Sequence, residues 1–323
     1  MRIVVIGGSG RIGSYLVPRL VRAGHDVVSV SRGTSSPFVA AIEWDDVEVV
    51  TADREREDAV GEFVPRIRSL EPEVVVDLLC FTPESARRLV DGVRGEVEHL
   101  VHCGSIWRYG PSLSSPIREG AGTPPLGDYG VQKQAIAELM RAETAGGGLV
   151  TTVIDPGQIV GPGWTPIGPL GNRDPHAWQK LSAGEVLDIP GSGAEHLHHV
   201  HADDVAQVFQ RAIDDRDASG GEDFHAVSTT ALSAAGLAHH AARWFGREAR
   251  LRSVGWDRFR ELTTAPLASS SWEHLRRNHV ISTEKSERVL GYQPRYSPEA
   301  ALLESVRWLI DSGELDVPSP LIM

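Results

Sequence analysis

Tyr129 and Lys133 stand four residues apart in Asp128-Tyr129-Gly130-Val131-Gln132-Lys133, just ahead of the helical run Gln134 to Ala142. On a helix, that spacing puts both side chains on one face. A free phenol titrates at about 10 and is a poor base at neutral pH, but a nearby ammonium favours the phenolate and lowers that value. Upstream, Ser105 offers a hydroxyl that can bond the same substrate oxygen. Together the three make a proton site suited to interconverting an alcohol and a carbonyl. A surface helix with an ordinary Tyr–Lys pair carries the same letters, so the elements around the pair decide.

Those elements begin at the N-terminus. Met1 to Ile6 is an apolar, β-branched run, followed by Gly7-Gly8-Ser9-Gly10-Arg11-Ile12-Gly13 and then by Ser14 to Val21, whose apolar residues recur at helical spacing. A strand, glycine turn and helix start in this order form a cradle for a dinucleotide pyrophosphate. Glycines let the backbone turn tightly and approach the phosphates, and the helix start presents free N–H groups. The spacing is G-x-x-G-x-x-G, and Gly7, Gly10, Arg11, Ile12 and Gly13 are the expected cofactor contacts.

Asp26 to Val30 reads as the second strand of a βαβ unit. An NAD site places a carboxylate near the end of that strand for the ribose hydroxyls. Here stand Ser31-Arg32-Gly33, and an arginine pairs with a 2′-phosphate where a carboxylate would repel it. NADP(H) is therefore favoured over NAD(H), with Arg32 as the reader; as a solvated turn residue it would look the same. Asp53 ends the third strand, Val47 to Val50, placed either to bond the adenine amino group or to cap the charged helix start Arg54 to Asp58. Glu73 to Cys80 is a near-continuous apolar strand, as in a sheet covered on both faces, and Leu78 and Leu79 at its end join the expected cofactor contacts. A fifth strand, Glu98 to Cys103, leads into the small-residue loop Gly104 to Gly110, where Trp107 is a candidate substrate contact. This alternation predicts an α/β fold with a Rossmann-type, doubly wound parallel sheet.

With Gly7/Gly10/Gly13, Asp77, Ser105 before Tyr109-Gly110, Tyr129/Lys133, Asp155 to Gly163, His201 to Ala206 and Leu290 to Pro294, the chain resembles the extended short-chain dehydrogenase/reductases of the NAD-dependent epimerase/dehydratase superfamily. The resemblance implies Tyr129 as proton donor or acceptor, Lys133 on the nicotinamide ribose and Ser105 orienting the substrate hydroxyl. It also implies that Pro156 and Ile159 touch the nicotinamide, and that homodimers form through the helix of Tyr129 and Lys133. Three departures bear on the substrate. Leu197 and His198 stand where sugar-nucleotide members carry Arg-Asp, the arginine gripping a diphosphate. Asp155 replaces an arginine, and no Thr or Asp-Glu follows Ser105 as in the dehydratases.

Residues 1–155 are expected to form the dinucleotide-binding domain. Residues 156–323 should form mainly a substrate-binding lobe, with a segment near 200–230 returning to the first domain. Trp164 to Asn172 reads as a Pro/Gly-rich lid or wall, and Asn172, His176, Trp178 and His199 are the remaining candidate substrate contacts; tryptophan and histidine serve packing equally well. His196-Leu197-His198-His199-Val200-His201 raises a metal reading, since alternate strand residues share a face. No cysteine or carboxylate ligands cluster with them and the chemistry needs no metal, so none is expected, and His201 reads as structural. Trp272 to Arg277 carries charge able to reach a phosphate or carboxylate.

The net charge of −12 argues against nucleic acid and anionic membrane partners. No apolar run approaches the roughly 20 residues of a membrane span, and Cys80 and Cys103 alone make no disulfide framework. The expectation is a cytoplasmic, NAD(P)-dependent oxidoreductase or epimerase acting on a sugar or sugar-like small molecule. An NADPH-dependent reductase of a non-nucleotide ketone, or a non-catalytic dinucleotide sensor, are the alternatives.

Overall fold

The computed structural model describes residues 1–322. The first half runs β1 (Arg2–Ile6), α1 (Gly13–Arg22), β2 (Asp26–Ser31), β3 (Glu48–Thr51), α2 (Arg54–Val60), α3 (Phe63–Arg68), β4 (Val74–Asp77), α4 (Pro83–Val93), β5 (His99–Cys103), α5 (Gly127–Ala145) and β6 (Val150–Pro156). Next come β7 (Gln158–Val160), α6 (Pro175–Ala183), β8 (Val186–Pro190), β9 (His196–Leu197), β10 (His199–His201), α7 (Ala202–Asp214), α8 (Arg216–Ser219) and β11 (Asp223–Ala226). The chain finishes with β12 (Leu232–Ser233), α9 (Ala234–Trp244), β13 (Arg250–Val254), α10 (Trp256–Glu261), α11 (Ala265–Leu275), α12 (Glu284–Leu290) and α13 (Pro298–Asp311).

Seven of the strands form one parallel sheet in the order β11-β6-β5-β4-β1-β2-β3. The direction of winding reverses between β1 and β4, and a crevice opens at the carboxyl ends of the strands there. Alternation along β1 explains how one short strand serves two cores. Ile3 and Val5 pack with Leu16, Leu20 and Phe209 on the side of α1 and α7. Val4 and Ile6 pack with Phe63, Leu89 and Met140 on the side of α3, α4 and α5. Every residue of β4 and β5 is buried, as a strand covered on both faces requires.

After β6 the chain leaves the sheet, builds part of a second lobe, and returns through α7 and β11, the latter pairing with β6. The lobe's own core joins Trp178, Leu181, Leu237, Trp244, Phe245, Leu302 and Val306. Its short strands pair β7 with β10, β9 with β12 and β8 with β13. No helix is long and apolar enough to cross a membrane.

Two local expectations change. Helix α5 starts at Gly127, about two turns before Gln134, so Tyr129 and Lys133 both lie inside it, with Asp128 favourably placed in its first turn. The charged helix start at Arg54 does more than open a helix. Arg54 turns inward to pair with the fully buried Asp77 at the end of β4 and with Asp58, leaving its side chain only 9% exposed.

Candidate active site

The glycine turn owes its shape to close backbone approach. Gly7 has φ +91°, in the region that favours glycine, and its N–H donates to the Val30 carbonyl at 2.8 Å. A Cβ on Gly13 would stand 2.2 Å from the Gly8 carbonyl oxygen. The start of α1 can therefore press against the turn only with glycine there. Ile12 opens that helix without a side-chain cap, so no side chain competes for its leading N–H groups.

Two cavities meet at this turn and share Gly7, Gly10, Arg11, Leu79 and Phe81. One, of about 920 Å³, runs past β2 and β3 and is lined by Arg32, Asp53, Arg54 and Phe38 among others. The other, of about 580 Å³, runs past β4, β5 and β6 and is lined by Ile12, Leu78, Ser105, Trp107, Tyr129, Lys133, Pro156 and Ile159 among others. A long, bent crevice with a glycine cradle at its waist has the size and shape to hold a dinucleotide.

At the end of the crevice near β2, Arg32 is exposed and forms no hydrogen bond or ion pair among the described residues. Asp53 caps α2, accepting the Arg56 N–H at 3.2 Å, while standing on the cavity wall. It thus combines the two positions between which its sequence could not choose.

At the other end, Ser105 follows β5, and its Oγ accepts the Trp107 N–H at 3.2 Å. Tyr129 is 42% exposed, its ring opening on the cavity, yet burial still pushes its phenol up to about 12, with the Ser105 hydroxyl pulling the other way. Lys133 does not lower it as expected. Its buried Nζ donates to the Cys80 and Cys103 carbonyls at 2.8 and 2.7 Å and lies 5.9 Å from the centre of the Tyr129 ring. The ammonium sits below the phenol, tying α5 to the ends of β4 and β5.

Ser105 is held from behind by a buried charge network. Its N–H donates to Asp155 Oδ1 at 2.9 Å; Arg108 bonds Asp155 Oδ2 at 3.1 Å and Asp223 at 2.7 Å. Burial raises the Asp155 carboxyl despite the pull of Arg108. The aspartate that departs from the family pattern in β6 is thereby matched by an arginine just after Ser105.

Arg11 roofs the crevice. Its Nε donates to the Gly163 carbonyl at 2.6 Å, and its guanidinium stacks 4.0 Å from the Trp164 ring and 5.2 Å from Phe38. The loop after β7, read as lid or wall, supplies Trp164 and Ile167 to the cavity.

The chain belongs to the NAD dependent epimerase/dehydratase family. That family's model matches residues 3–226. A 2′-dehydrokanamycin reductase from Streptomyces kanamyceticus is 28% identical over 66% of this chain, which spans only 58% of that relative. A UDP-glucose 4-epimerase from Mycolicibacterium smegmatis is 27% identical over 97% of this chain and 100% of its own length. The crystal structure of a UDP-glucose 4-epimerase from Thermotoga maritima superposes with a TM-score of 0.70 at 20% identity, covering 97% of this chain and 99% of that one, which shows the shared fold.

Within this family member, four expected substrate contacts lie off the cavity wall. Trp178 is 1% exposed and stacks on Trp244 in the lobe core, because α6 turns that face inward. Asn172 is buried, its amide donating to Ser271 at 2.9 Å and its oxygen accepting the Asp174 N–H. His176 points to solvent and bonds Asp174 at 2.7 Å. His199 is fully buried against the Ile167 carbonyl at 2.9 Å. Only Trp107 of the five lines the cavity, edge-on to Tyr129 at 5.9 Å and to His274 at 4.7 Å.

The other histidines of the 196–201 run bind separate protein partners: His196 bonds Asn278, His198 the Ser228 carbonyl, and His201 caps α7 and pairs with Glu304. Leu197 and His198 are buried too, so neither can grip a ligand. Arg173 and His274 complete the wall. The charged segment at 272–277 pointed towards His274, whereas Arg173 had no signal beyond following Asn172.

Proposed function

We propose that this chain is a nicotinamide-dependent enzyme that interconverts a hydroxyl and a ketone on a sugar or sugar-like small molecule. What carries the reading is that Ser105 and Tyr129 stand on the wall of one cavity that continues, without a break, into the glycine cradle. The relative named as a UDP-glucose 4-epimerase, matched over its whole length, supports that substrate class. The nicotinamide, when bound, supplies or accepts hydride. Tyr129 holds a proton on its phenol at neutral pH, since burial pushes that group up to about 12, and is thus prepared to protonate a carbonyl oxygen being reduced. Ser105 Oγ orients the same oxygen, and Lys133 fixes the helix turn that aims the phenol. Arg32, free of protein partners, supports NADP(H) over NAD(H).

Tyr129→Phe tests the reading. Turnover should fall by about 10²-fold or more while dinucleotide affinity stays as it was; unchanged turnover would remove Tyr129 from the chemistry.

One observation favours an epimerase over a reductase. Arg11, Gly163 and Phe38 close over the waist of the crevice, and a Cβ on Gly163 would meet the Phe38 ring at 1.9 Å. Such a roof retains a cofactor between two opposite hydride transfers. Dinucleotide that stays with the protein through gel filtration supports epimerisation; free exchange supports a reductase. The same reading includes homodimerisation through α5, where Val131 is exposed, and a reducing cytoplasmic setting for the two free cysteines.

A further inference from the structure

Among the described residues lining the cavity of Ser105 and Tyr129 none is Asp or Glu, although the whole chain carries a net charge of −12. Three cations face it instead: Arg11, Lys133 and Arg173. Arg11 donates to the Gly163 carbonyl and Lys133 to two carbonyls. Arg173 has no hydrogen bond and no ion pair among the described residues; its guanidinium lies 5.6 Å from the centre of the Trp164 ring, the same ring that Arg11 covers at 4.0 Å.

Two like charges held against one indole, with no carboxylate between them, repel. Burial and then Arg173 lower the pKa of Arg11, against a smaller raising pull from Glu314 outside the cavity wall, and burial lowers that of Arg173. A partly desolvated guanidinium with five unused donors calls for an anion to complete it. Beside it, the His274 imidazole is pushed down to about 3, chiefly by burial and then by Arg173 and Arg277, so it stands neutral, with an edge on Trp107. The floor of the substrate end is therefore aromatic and its free charge positive.

We propose that Arg173 is the specificity residue of this site: it binds an oxyanion carried by the substrate, a phosphate or a carboxylate, while Trp107 and Trp164 flank the rest of the molecule. This rests on the reading of the cavity as a substrate site. A planar guanidinium takes either anion through two parallel N–H bonds, a geometry that excludes neutral and cationic substrates. The competing source of negative charge is the dinucleotide pyrophosphate, for which the glycine turn and the start of α1 are already built.

Calorimetry distinguishes the two, using the full-length protein saturated with whichever of NAD⁺ or NADP⁺ binds more tightly. The probes are UDP-glucose and glucose 1-phosphate for phosphate, glucuronate for carboxylate, and glucose as the uncharged match. At least one anionic probe should bind about tenfold or more tightly than glucose. Arg173→Gln should abolish that advantage while its cofactor affinity and melting temperature stay those of the wild type. Which probe wins separates phosphate from carboxylate. Anionic probes binding no better than glucose would overturn the proposal. So would an Arg173→Gln protein that loses cofactor affinity and keeps the anion preference, since the guanidinium would then serve the dinucleotide. Because no turnover is read, a failure of the hydride-transfer reading, seen in Tyr129→Phe, stays separate from a failure here.

Discussion

The N–H of Ser105 donates to Oδ1 of Asp155 at 2.9 Å, and the other oxygen of that carboxylate is held by Arg108 at 3.1 Å. A residue at the end of β5 is thus positioned by one buried in β6, through a charge pair closed from water. Asp155→Ala leaves a buried guanidinium short of a partner and the Ser105 N–H without an acceptor, and should cost about 3 kcal/mol or more of stability. Asp155→Asn keeps an acceptor oxygen and should cost less. Denaturant unfolding of the three proteins measures both, and equal midpoints would show that Asp155 does not support the loop.

The protonated phenol of Tyr129 makes the two reaction directions respond differently to pH. In carbonyl reduction, the rate should stay level through neutrality, because the donor remains protonated up to about 12. In alcohol oxidation, the rate should climb with pH by about tenfold per unit, following the small phenolate fraction. Initial rates in both directions give the test. A plateau from near neutrality in the oxidising direction would show that Lys133 lowers the phenol after all.

Arg32 should separate the two dinucleotides. Removing one charge-assisted contact to a 2′-phosphate corresponds to about a 10- to 100-fold loss of affinity. Arg32→Ser should therefore weaken NADP⁺ by that order and leave NAD⁺ almost unchanged. Fluorescence titration of both proteins with both cofactors decides it; a parallel loss for the two would mean that Arg32 contacts a part they share.

Acid should destabilise the fold before most carboxylates titrate. His99, His102, His198, His199, His225, His274 and His279 are all pushed down by burial to between about 3 and 4, from an ordinary value of 6.5. The unfolded chain takes up protons below 6.5 that the folded chain refuses, so this contribution is complete above 6.5 and is lost as pH falls towards 4. Each group adds a slope of about 1.4 kcal/mol per pH unit within the window. Asp155, Glu119, Asp204 and Asp214, raised by burial, pull the other way but are fewer. Melting temperature should drop steeply between mildly alkaline and mildly acidic buffer; a flat profile would mean that these histidines charge freely in the folded state.

The parts of this protein legible in its sequence are those that depend on local backbone chemistry. A β-branched run, glycines at Gly7, Gly10 and Gly13, and an amphipathic helix can do little but form a strand, a tight turn and a helix start. Alternation of such units over the first half carries the parallel sheet with it. The four-residue spacing of Tyr129 and Lys133 likewise sets a shared helix face, whatever surrounds it.

Tertiary packing alone decided what the side chains do once there. Trp178, Asn172 and His199 have the same chemistry in a core as on a cavity wall, and only non-local contacts chose the core for them. Lys133 was drawn to the carbonyls of Cys80, just after β4, and Cys103, at the end of β5, so its ammonium is committed to the backbone and not, as spacing implied, to the phenol. Arg173, unmarked in the sequence, gains its meaning from the carboxylates that are absent around it. A sequence gives each group its donors, acceptors and charge; burial and neighbours, assembled from distant segments, determine which of these remain free to act.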